Sequence, residues 1–79
     1  MFATLFARGP WAMIFEWDGT SKVFTLLAST GELLGVAKPI PGECWEGRME
    51  PVAGGRSAWA TSLDILRDWM MDQARSPHR

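Results

Sequence analysis

Turn signals stand so close together along this chain that the segments between them can pair only with their neighbours. Asp18-Gly19, Thr30-Gly31-Glu32, Pro39-Ile40-Pro41-Gly42 and Gly54-Gly55 punctuate the first sixty residues. None of the intervals has room for the dozen or more residues of a parallel crossover, so antiparallel neighbours are expected. The residues between the turns alternate in the manner of strands. In residues 11–17, Trp11, Met13, Phe15 and Trp17 share one face, with Ala12, Ile14 and Glu16 opposite. Gly19 is expected to supply the positive φ of the first turn, with Asp18 bonding its own backbone.

Residues 22–29, rich in Val, Phe, Thr and Leu, read as the returning strand, and residues 33–38 as a third that Pro39 must end. A fourth run, residues 43–52, places Trp45, Gly47 and Met49 on one side and Glu46, Arg48 and Glu50 on the other. Residues 57–60 offer a short further strand. The period then changes. Thr61 is a good N-cap with Asp64 behind it, and Leu63, Ile65, Leu66, Trp69, Met70 and Ala74 fall on one half of a helical wheel. Ser76-Pro77 ends the helix.

The expected fold is α+β, an antiparallel meander of three to four strands with one C-terminal amphipathic helix packed on one face. It is a single domain over 1–79: an N-terminal arm or edge strand at 1–10, the sheet at 11–60, the helix at 61–75 and a frayed tail at 76–79. One helix covers one sheet face; the other is left to solvent or a partner.

Composition sharpens this. At 79 residues the domain lies near the lower limit for unaided folding. Such a core rarely supplies more than ~3–5 kcal/mol without staples. One cysteine and one histidine provide neither a disulfide nor a zinc site. Five Trp, four Phe and five Met must build the core, and nine large aromatics exceed what so small an interior easily hides. The formal charge of −1 advertises no nucleic-acid partner. The apolar start, interrupted by Arg8-Gly9-Pro10, is too short for a secretory or membrane segment. With no disulfide pair, a cytoplasmic protein is expected.

The catalytic inventory is thin, and no catalytic, cofactor or metal residue is proposed. The single His78 stands in the tail, and Cys44 lacks a histidine partner. Glu46 and Glu50, four residues apart on a strand, are separated by ~13 Å, too far for shared work on one bond. Gly54-Gly55-Arg56 lacks a phosphate-loop pattern.

Three features point to binding. The ladder Glu46, Arg48 and Glu50, with Glu43 nearby, suggests an acidic patch for a basic protein surface; an ordinary solvated sheet face is the plain alternative. On the helix, Asp64, Asp68 and Asp72 recur every four residues, a repulsive spacing of ~0.2–0.5 kcal/mol per pair, with Met71 exposed among them. A solvated helix face is again the alternative. Among the tryptophans, Trp45 and Trp69 sit in inward patterns. Trp11, Trp17 and Trp59 lie near strand ends, where an indole is half covered, and Arg48 and Arg56 are the arginines best placed to join them.

A strand bearing Glu43-Cys44-Trp45-Glu46, then Gly54-Gly55-Arg56, then a capped helix opening Ala60-Thr61-Ser62-Leu63 is a layout common among small phage and mobile-element proteins. In length, acidity and lack of a catalytic set the chain resembles phage anti-CRISPR proteins, small inhibitors that bind a CRISPR effector complex. The resemblance covers most of the chain but is architectural; that group shares no motif, so it transfers no residue role. It implies a non-enzymatic protein-binding inhibitor in the cytoplasm of a bacterial host, contacting no nucleic acid directly. The alternative is a self-assembling structural or adaptor module, a homodimer through the open sheet face.

Overall fold

Closely spaced turns and alternating strands give the expected meander, with one strand more than the three or four anticipated. A computed structural model of the protein describes residues 13–75. Strands β1 (Met13–Asp18), β2 (Val23–Ala28), β3 (Leu33–Ile40), β4 (Cys44–Met49) and β5 (Ser57–Ala60) precede the helix α1 (Leu63–Arg75). They form one sheet in the order β1-β2-β3-β4-β5, antiparallel at each junction. Expectations for Trp11, the arm at 1–10 and the tail at 76–79, with His78, lie outside the described residues.

Several boundaries differ from the sequence reading for local reasons. β3 runs through Pro39 to Ile40. Its pairing with β2 stops at Ala37, so Pro39 lies where β3 has a partner only in β4, and a sheet tolerates a missing N–H at an edge. β4 stops at Met49 instead of continuing to residue 52, because Pro51 opens a single 3₁₀ turn, Pro51–Ala53. In the first hairpin the left-handed residue is Lys22, at φ 61°, and not Gly19. The amide of Lys22 donates to the Asp18 carbonyl at 2.7 Å, while Asp18 Oδ1 accepts from the amide of Thr20 at 3.0 Å. At the helix start the cap is Ser62, one residue later than expected: its Oγ accepts from the amide of Ile65 at 3.4 Å.

Register fixes two sheet faces. One carries Met13 and Phe15 of β1, Phe24 and Leu26 of β2, Gly35 and Ala37 of β3, Trp45, Gly47 and Met49 of β4, and Ala58 and Ala60 of β5. The helix covers the β3–β5 part of this face, lying chiefly on β4 and then on β5 and β3. Its Leu66 and Met70 are fully buried with Leu26, Ala37, Met49 and Ala53, while Leu63, Trp69 and Ala74 pack at the margin.

Two glycines let the helix come this close. A Cβ on Gly47 would stand 2.9 Å from Leu66 Cδ1, and one on Gly35 would stand 2.9 Å from Met49 Sδ and Met70 Cε. Both are therefore receiving positions for the α1 side chains. Toward β1 and β2, aromatic contacts extend the packing. Phe15 stacks on Phe24 at 5.0 Å, and Phe24 meets Trp17 and Trp45 edge-on at 5.1 and 5.7 Å.

Two helix residues depart from the wheel. Ile65 is 64% exposed instead of inward. Met71, expected among the exposed charges, is partly buried against the core. A sheet meets a helix along a narrow line through Leu66 and Met70, and residues on either flank of that line divide according to what lies beneath them.

Candidate partner-binding surface

The alternate residues of the same strands build the second face, over which none of the described elements packs. Cross-strand pairing aligns them in rows. Ile14 pairs with Leu27, and Leu27 with Leu33 across a bulge, giving an apolar row. Glu16, Thr25, Val36, Arg48 and Ser57 form the next, through successive pairs from β1 to β5. The third joins Lys38, Glu46 and Trp59. Ile14 is 52% exposed and Trp59 67%, values high for residues that ordinarily anchor cores.

Val36, Lys38, Glu46, Arg48 and Glu50 line a shallow groove of about 200 Å³ on this face. Glu46 lies between two cations: Lys38 Nζ is 3.6 Å from Oε1 and Arg48 Nη2 is 3.9 Å from Oε2. Surface pairs of this kind contribute ~0–1 kcal/mol to stability. The ladder that reads as acidic in sequence is a mixed-charge row in the fold.

At the far end of β1 the Asp18 carboxyl is held below its ordinary range. The Ser21 hydroxyl donates to Oδ2 at 3.0 Å, and the amides of Thr20 and Ser21 donate to Oδ1. This carboxylate organises the hairpin.

The ten residues singled out in sequence do not converge. Glu46, Arg48, Glu50 and Trp59 come together on the open face. Asp64, Asp68 and Asp72 are exposed on α1, beyond the opposite sheet face, so no single acidic surface spans both groups. Arg67 there contacts Asp64 at 3.5 Å and Asp68 at 3.3 Å. Met71 is part of the packed helix margin. Trp17, 49% exposed, belongs in register to the helix-covered face through its partner Phe24. Arg56 is exposed just before β5. Gly54 and Gly55 direct their amides to the carbonyls of Pro51 and Glu50, so this glycine pair presents no free anion nest.

Sequence reasoning passed over Val36 and Lys38. Their alternation with Gly35 and Ala37 was visible, but only the register with β4 brings Lys38 opposite Glu46 and Val36 opposite Arg48. No helix in the described residues is long and apolar enough to cross a membrane. Comparison of the chain with protein-family models, with curated proteins and with solved structures gave no match.

Proposed function

We propose that the protein is a non-enzymatic inhibitor that binds another protein through the open sheet face, centred on Trp59 and Arg48. The observation that carries this reading is Trp59, 67% exposed beside a charged groove on the face over which none of the described elements packs. Trp and Arg are the residues that most often concentrate binding energy at interfaces. The architectural resemblance to anti-CRISPR proteins nominates a CRISPR effector complex as the first partner to assay, and with it the cytoplasm of a bacterial host.

Pull-down of tagged protein with candidate effector complexes is the test. Trp59→Ala is expected to weaken capture ~30-fold or more, as a hot-spot residue does. Capture that survives Trp59→Ala and Arg48→Ala unchanged would remove this face from the reading.

A second reading, self-association through the same face, is favoured by the apolar row of Ile14, Leu27 and Leu33, in which Ile14 and Leu33 are exposed. Light scattering over a concentration series separates the two. A monomer throughout the series eliminates the homodimer.

A further inference from the structure

The groove on the open face has an ordered arrangement of charge that bears on what it accepts. Glu46 lies low, with 30% of its side chain exposed, while the flanking Lys38 and Arg48 side chains are 53% and 68% exposed. An approaching partner meets these cations before Glu46, and Glu50, half-buried, is the second acid of the lining. Neither cation is within hydrogen-bonding distance of Glu46, at 3.6 and 3.9 Å, so both contacts are electrostatic and leave the directional capacity of the ammonium and guanidinium for another acceptor. Val36 forms the apolar part of the lining, and Trp59 of β5, outside the lining, stands next to Glu46, across β4 from Val36 and Lys38.

We infer that the groove receives a carboxylate side chain of the partner protein, held between Lys38 and Arg48, with a neighbouring apolar residue against Trp59. This rests on the protein-binding reading above and deepens it by assigning the partner's chemistry. A volume of about 200 Å³ suits one side chain and not a larger ligand. An extended partner segment meets the requirement, since residues two apart along it point to the same side. A polyanion such as single-stranded nucleic acid is disfavoured, because Glu16, Glu46 and Glu50 share this part of the molecule and the whole chain carries −1. An isolated carboxylate slots between the cations without bringing a second negative group close to those acids.

The test uses the full chain, ¹⁵N-labelled, and three probes: capped peptides of sequence Ser-Glu-Ser-Leu-Ser and Ser-Lys-Ser-Leu-Ser, in which the charged and apolar residues are two apart, and a short oligothymidylate. The acidic peptide is expected to shift the Trp59 indole and Arg48 guanidinium signals with millimolar affinity. Lys38→Ala and Arg48→Ala together are expected to weaken it about tenfold, the scale of two exposed charge contacts. Glu46→Gln is expected to tighten it about threefold by removing the competing internal anion. Both variants replace exposed or half-exposed side chains, and unchanged spectra elsewhere verify their folds.

Binding of the lysine peptide at these residues would overturn the carboxylate assignment while leaving a protein-binding face intact. Tighter binding of the oligothymidylate there would overturn the assignment in favour of a nucleic-acid surface. No response to any probe, or acidic-peptide binding indifferent to Lys38 and Arg48, also overturns it. The pull-down on Trp59 then decides separately whether the face binds protein at all.

Discussion

The two faces of the sheet are built from alternate residues of the same five strands, yet they follow different rules. On the helix side, Gly35 and Gly47 vacate space for Met70 and Leu66, and shape decides what is allowed. On the open side, Lys38 and Arg48 each contact Glu46 loosely, at 3.6 and 3.9 Å, and under the proposed binding role charge order decides what approaches. The contrast teaches that one strand can carry a rigid commitment and an adaptable one at successive positions. In β4, Gly47 is buried under Leu66, and its neighbours Glu46 and Arg48 face the groove.

The sharpest way to break this comparison is on the helix side. Leu66→Ala is expected to cost ~2–5 kcal/mol, the range for deleting a fully buried leucine. In a domain of this size that approaches the whole of its stability, and urea denaturation of the variant should show little folded protein. A loss below ~1 kcal/mol would mean that α1 is not fixed on the sheet as described.

Gly35→Ala comes next, at ~1–3 kcal/mol by overpacking. The added carbon meets the backbone oxygen of Arg48 at 3.1 Å as well as two methionine ends, so part of the clash cannot be relieved by a rotamer change. At Gly47 the nearest atoms all belong to Leu66 and Met70 side chains. Gly47→Ala should therefore be the milder of the two, and the reverse order in thermal melts would contradict the packing.

On the open side, Trp59→Ala should move stability by no more than ~0.5 kcal/mol while affecting binding strongly. A loss of several kcal/mol would show that the indole is part of the core after all.

The smallest effect concerns Asp18. Its folded-state pKa is lowered, so its stabilising contribution is present above the unfolded value, near 3.8, and fades as pH falls through the folded value. Asp18→Asn should melt below the parent at neutral pH, and the gap should close in acid. A gap that persists or widens in acid would refute the role of the ionised carboxylate.

Much of the fold was legible because its cues are local. Alternation gave the faces of β1 and β4, turn residues gave the meander, and the change of period gave the helix. Ser57–Ala60 was visible as a short strand, and its pairing with β4 made it the fifth. What escaped depends on relations between segments. Ile65 and Met71 follow a wheel that cannot know which strands lie below the helix, so their exposure came out reversed. The acids of β4 and α1 share a composition but not a side of the molecule. Lys38 gains its meaning from Glu46 on the adjacent strand, and that register is set by the three residues of the Pro41-Gly42-Glu43 turn, where Gly42 and Glu43 both adopt positive φ.

The position of α1 after the meander also sets an order of events during synthesis. Each hairpin can close as soon as its own strands exist, because each strand pairs with its sequence neighbour. Leu66 and Met70, however, are made after all five strands. Until they emerge, Leu26, Ala37 and Met49 have no cover from the helix, and a nascent chain that stalls before residue 70 presents an apolar sheet to whatever surrounds the ribosome. The glycine notches under Leu66 and Met70 thus make the last core residues translated the ones that close the interior.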